Sequence, residues 1–160
     1  MSRLSPVRAI ALFTALVAVP LGGCTVGTPY RESRPAGGEP QGLVVIALTE
    51  ATLGPDRAAR AAFWEGVRAV ESDLPNQQGL LGHALRRELF GNRAWTMTVW
   101  ESERDLDRFV TAPVHAQAIR AGSAAVVGQR FATITRPRAA VPLPWAEALD
   151  VLAREGQGYR

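Results

Sequence analysis

Lysine is absent from the 160 residues, cysteine occurs once, and histidine occurs twice. Each scarcity removes a class of chemistry. A single Cys24 cannot close a disulfide within the chain. Two histidines, His83 and His115, with no Cys-x-x-Cys pair, make a poor donor set for structural zinc, so no metal is expected. All 18 basic residues are arginine, which reads as coding bias and not as a phosphate-binding device. The formal charge of +3 shrinks once Arg3 and Arg8 are set apart as part of a leader, since 16 Arg then face 15 Asp plus Glu. Stretches such as Glu101-Ser102-Glu103-Arg104-Asp105 alternate in sign and no basic stripe emerges, so nucleic acid has little electrostatic support as a partner. Neither a Gly-x-Ser-x-Gly nucleophile turn nor a glycine-rich phosphate loop is present; Gly22-Gly23 and Gly37-Gly38 fall outside the body of the chain.

The N-terminal 23 residues carry an address. Arg3 and Arg8 precede an apolar run, Ala9–Val19, that is too short for a helix needing about 20 residues to cross a hydrocarbon core. Leu21-Gly22-Gly23-Cys24 follows at once and resembles a bacterial lipobox, which predicts export, lipidation of Cys24 and residence on the extracytoplasmic side of a membrane. Residues 24–42, rich in Pro, Gly and isolated charges, read as a flexible linker from the lipidated cysteine. One folded domain, 43–160, is expected beyond it.

Within that domain the pattern changes to packed elements. Leu43–Ala51 is a nearly continuous apolar run with β-branched residues, a strand buried on both faces. Gly54-Pro55-Asp56 opens a helix to about Asp73, with Ala59, Phe63, Val67, Val70 and Leu74 on one face. Gly79–Phe90 reads as a strand bulged near Gly82, turning at Gly91-Asn92 into an alternating strand, Arg93–Glu101. In that strand Trp95, Met97 and Val99 share one face, and Thr96, Thr98 and Trp100 the other. Neither face is plainly solvent, so both need cover. Ser102 and Asp105 resemble a capping box for a short helix bearing Leu106, Phe109 and Val110. Pro113 begins a further turn with His115, Ala118 and Ile119 on one side. A fourth strand over Ala125–Thr135, a terminal helix over Pro144–Arg154 and a frayed tail over Gly156–Arg160 complete the chain. The order β-α-β-β-α-β plus a C-terminal helix predicts an α+β, ferredoxin-like domain.

Gly79–Ile119 also carries a family likeness: Trp100 closing the third strand, Glu101-Ser102 opening the next helix, Phe109 on it, and a Pro113-x-His115 turn. In these features the chain resembles the antibiotic-biosynthesis-monooxygenase group of the dimeric α/β-barrel superfamily, over roughly Leu43–Arg136. The resemblance implies a homodimer through the sheet, which would cover the second face of Arg93–Glu101, and a ligand cavity between sheet and helices. It implies oxidation of a small hydrophobic, aromatic or quinone-like molecule without a cofactor, or, in a related branch, binding of haem. Trp100 and His115 then look like the functional pair, with His115 handling proton transfer and Trp100 positioning the substrate. Family members also use an Asn in the first strand, which Leu43–Ala51 lacks, and the two tyrosines, Tyr30 and Tyr159, fall outside the expected core. Those departures keep a non-catalytic binding module for a small apolar ligand or haem as the alternative.

Around that pair, Trp64, His83, Thr98 and Phe109 are candidate ligand-binding residues. Trp64 also suits core-edge packing, and His83 also suits a half-exposed strand position. Arg86, Arg87 and Arg130 could hold an anionic group on a ligand or serve as solvated edge charges.

Overall fold

The computed structural model describes residues 24–33 and 42–159. The expected leader, residues 1–23, and the middle of the expected linker lie outside the described residues. In chain order the elements are Thr25–Gly27 (β1), Arg31–Glu32 (β2), Leu43–Leu53 (β3), Arg57–Asp73 (α1), Leu80–Glu88 (β4) and Arg93–Trp100 (β5). Glu103–Val110 (α2), Pro113–Gly122 (α3), Val126–Pro137 (β6), Trp145–Glu155 (α4) and Gln157–Tyr159 (β7) follow.

Local chemistry accounts for the helix starts. Asp56 caps α1 by accepting from the Ala59 amide at 2.7 Å, and Ser102 caps α2 by accepting from the Asp105 amide at 3.3 Å. Pro113 occupies the first turn of α3, where its missing N–H is harmless.

One antiparallel sheet runs β4-β5-β3-β6 through its centre. With α1 between β3 and β4 and α2–α3 between β5 and β6, this is the ferredoxin-like α+β fold. The β4–β5 register shifts between Leu80 and Gly82, placing the expected bulge at Leu81.

Period-two alternation divides the sheet into two faces with different cover. On one, Val44, Ile46, Leu48, Met97, Val99, Ala132 and Ile134 pack against Leu143, Ala148, Val151 and Leu152, the last three from α4. This is the face for which a partner chain was expected; α4 of the same chain covers it. A homodimer through this surface would have to displace α4.

Two expectations are corrected. Residues 24–33 are no flexible linker: β1 pairs with β4 from Thr25 opposite Glu88, and β2 places Arg31 opposite His83. The edge of β4 offers a row of unsatisfied backbone groups, and these short strands meet them. The tail does not fray either, because β7 pairs with β6, Gln129 to Tyr159 and Phe131 to Gln157. Among the described residues no helix is long and apolar enough to cross a membrane.

Candidate functional site

The second face of the sheet lies under α1, α2 and α3, and its core is broken in two. Near the Trp100 end, Val45, Leu74, Leu80, Trp100 and Phe109 form one cluster, with Val70 and Leu106 against it. At the other end Ala51, Leu53 and Ala125 form another, joined by Phe63, Trp64 and Val126. Between them Ala47, Thr49, Leu85, Thr96 and Thr98 are only half-buried, and α1 contributes no fully buried residue. On the α4 face the neighbouring Ile46, Leu48, Met97 and Val99 are sealed. The middle of this face is therefore less deeply buried than the middle of the α4 face.

His83 occupies this layer. It sits opposite Thr98 on β5 and is 3 % exposed, so the half-exposed position considered for it is wrong. The cover comes from residues that looked like linker: Arg31 lies opposite His83 and reaches across to Glu71 on α1 at 3.2 Å. Both ring nitrogens of His83 are buried without a hydrogen-bond partner among the described residues. Buried polar groups are nearly always paired, so an imidazole with two idle nitrogens points to a missing partner. Burial pushes the His83 pKa below its ordinary value, the nearby Glu71 charge opposes the shift and Arg31 reinforces it. The shift favours the neutral ring.

Trp100 is fully buried, and its indole N–H donates to Thr98 Oγ1 at 2.9 Å. Phe109 lies between Trp100 and His115, with ring centroids 5.0 Å and 4.6 Å away. His115 is half-buried at the start of α3, and its Nδ1 lies 3.0 Å from the Val110 carbonyl, to which it donates. The expected pair are therefore neighbours through Phe109, and they do not face a shared opening. Trp100 and Phe109 are buried against one another beside His115, so the expected pair shares no open space that a haem could enter. Among the described residues no group of three or more His, Cys, Asp or Glu is placed to hold a metal ion.

Trp64 packs edge-on to Phe63 at 5.1 Å, with the Arg87 guanidinium 5.5 Å over its ring. It forms part of the layer's far end, with Ala51, Leu53 and Ala125.

Tyr30 was placed outside the core, yet it packs against the α4-side cluster. A Cβ at Gly82 would collide with its phenol, so glycine is what admits the ring. Burial, helped by the Glu32 charge and opposed by Arg138, pushes the Tyr30 pKa up to about 12. The chance of seeing this from sequence lay in Gly82: a glycine inside a strand marks a close approach.

Two recesses open on the edges of the α4 side. One, of about 350 Å³, is lined by Glu50, Arg86, Glu88, Arg93, Trp95 and Arg130, among others. It brings together Arg86 and Arg130 but not Arg87. Most of its polar groups are already engaged: Trp95 donates to Glu50 at 2.7 Å, Arg86 to Thr25 at 2.6 Å and Arg93 to Glu88 at 2.6 Å. The other, of about 390 Å³, lies by Phe131, Thr133 and Glu155 and has no comparable cluster.

No family model matches this chain, and no curated protein does. Solved structures do match its fold. A Pseudomonas aeruginosa protein, PA3566, is similar with a TM-score of 0.53 and 15% identity, over 60% of this chain and 96% of that one. A protein from Fusobacterium nucleatum, provisionally named a monooxygenase, gives 0.54 and 13% over 65% of this chain and 46% of its own. A variant of SnoaB, a cofactor-independent oxygenase from Streptomyces nogalater, gives 0.50 and 19% over 58% and 92%. At these identities the likeness establishes a shared fold with monooxygenase-like proteins.

Proposed function

We propose that this chain is an exported, lipid-anchored protein that takes a small aromatic or quinol-like molecule into the layer between its sheet and α1, and oxidises it without a cofactor. The observation carrying this reading is His83, a buried imidazole biased to its neutral form, with both nitrogens idle in the layer whose middle is less deeply buried. A neutral imidazole in a water-poor place is a competent general base.

His83 would take a proton from an acidified ring carbon of the bound molecule. The carbanion so formed gives one electron to dioxygen, and the radical pair joins in a new C–O bond. The resulting peroxide takes the proton back from the imidazolium and loses water. A CH₂ group and O₂ thereby become C=O and H₂O, with the substrate supplying all electrons. Thr98, Trp64 and Phe109 would line the cavity. His115, assigned proton transfer by family resemblance, is tied to Val110 and better suited to hold α3 in place. Cys24, following Leu21-Gly22-Gly23, would carry the lipid that fixes the protein to the membrane.

Oxygen uptake with a panel of hydroquinones and anthrones tests the chemistry. Rates well above those of His83→Gln are expected, and equal rates would sink the oxygenase reading.

One observation favours a second reading, binding without turnover: the Trp100 donor is consumed by Thr98, so it cannot orient a substrate. Quenching of Trp64 fluorescence by the same panel, equal in wild type and His83→Gln and with no oxygen consumed, would establish that reading instead.

A further inference from the structure

Several of the large apolar side chains left in water lie towards one end of the molecule, while Leu43, Val110 and Ile119 are exposed elsewhere. Phe90, in the β4–β5 turn, is 91% exposed, and Leu89 beside it is 49% exposed. Val26 on β1 and Val127 at the start of β6 are also exposed. The Asn92 side chain donates to the Leu53 carbonyl at 3.1 Å and Gly54 N–H to Ala125 at 2.7 Å, so the β4–β5 turn, the end of β3 and the start of β6 are fastened together here. Scattered surface apolar residues are ordinary, but a cluster at one tip calls for a partner.

The turn is built to hold Phe90 outward. The Glu88 carboxylate accepts from the Asn92 amide at 3.0 Å, the Arg93 amide at 3.2 Å and the Arg93 guanidinium at 2.6 Å. A Cβ at Gly91 would collide with that carboxylate. Arg60 donates to the Gly91 carbonyl at 3.3 Å, bringing a further cation to the tip. A rigid apolar tip flanked by arginines fits a phospholipid surface, with acyl chains below and phosphates at its rim.

The position of Cys24 selects this occupant. The Leu89 amide donates to the Cys24 carbonyl at 2.8 Å, and Thr25 and Val26 lie opposite Glu88 and Arg87. Ahead of Cys24 stand Leu21-Gly22-Gly23 and the apolar run Ala9–Val19. A lipid on Cys24 would therefore enter the bilayer directly beside Phe90, with no slack chain between anchor and domain. We infer that Leu89 and Phe90, joined by Val26, form a seat that rests in the membrane holding the Cys24 lipid and fixes the orientation of the domain upon it. This inference rests on the lipid-anchor reading.

The acylated protein, purified in detergent and returned to vesicles of phosphatidylethanolamine and phosphatidylglycerol, tests it. Once Cys24 is acylated, Phe90→Cys introduces a single thiol for an environment-sensitive dye; Asn76→Cys, an exposed site at the far end of the sheet, serves as control. The dye at position 90 should shift to the blue and be quenched by brominated lipid about threefold or more beyond the control. Equal, weak quenching at both positions on acylated protein overturns the seat and leaves the anchor standing. Absence of acyl mass on Cys24 overturns the anchor and the seat with it. Because Phe90 makes so little contact with the protein, its replacement leaves the fold in place, which the far-ultraviolet circular dichroism of the labelled protein checks.

Discussion

The indole N–H of Trp100 donates to Thr98 Oγ1, two residues back on the same face of β5, at 2.9 Å. The pair turns a tryptophan that resembles a substrate wall into a self-satisfied core residue. Thr98 also stands directly opposite His83 across the β4–β5 ladder.

Thr98→Val keeps the shape of the side chain and removes the acceptor. A fully buried indole N–H is then left without a partner, at a cost of about 1–3 kcal/mol. Urea unfolding monitored by tryptophan fluorescence should show the midpoint falling accordingly; an unchanged midpoint would mean that the indole finds water.

Gly82→Ala tests whether the N-terminal segment is part of the domain. The added Cβ collides with the Tyr30 phenol, so either Tyr30 leaves the α4-side core or the β4 backbone shifts. Overpacking of this kind costs about 1–3 kcal/mol. Amide exchange of residues 25–32 should accelerate in the variant while that of β3 stays slow. Exchange that is fast already in the wild type would show that the β1 and β2 pairings do not persist.

These two cases mark how far the sequence could be read. Elements set by neighbours in the chain were legible: the Asp56 and Ser102 caps, the Pro113 start, and the alternation of Trp95, Met97 and Val99 against Thr98 and Trp100. Contacts across long separations were not. Residues 24–33 look like a tether because their Pro, Gly and charges build no core of their own; they fold by completing the edge of β4 some 55 residues away. The burial of His83 depends on that docking, through Arg31 and Glu71, so its depth could not be read from a Gly-flanked strand. The second face of β5 needed cover, as its pattern said, but nothing local distinguished a partner chain from α4.

His83 gives stability a pH dependence with a definite sign. Its folded pKa lies below the ordinary 6.5, chiefly through burial. As pH falls, the unfolded chain binds the proton first, so stability is lost from about 6.5 downward until the folded imidazole also protonates; above that range the group adds no slope. Glu88, whose pKa is lowered chiefly by its hydrogen bond from Arg93, acts only below its ordinary 4.5 and stays out of this window. Urea midpoints measured between about pH 7.5 and pH 5 should fall for the wild type and fall less for His83→Leu. Parallel slopes in the two proteins would show that another group titrates there.

α4 raises the last question, since it occupies the face through which a dimer was expected. Val151 and Leu152 are each 1% exposed and lie on Ile46, Leu48, Met97 and Val99. Ending the chain after Arg138 removes Leu143, α4 and β7 together. The bared sheet then carries a contiguous apolar surface of the kind that drives association. Sedimentation should find the shortened chain as dimers or larger species at concentrations where the full domain sediments as a smaller one. If the two sediment at the same stoichiometry, α4 is dispensable as cover and self-association runs through another surface.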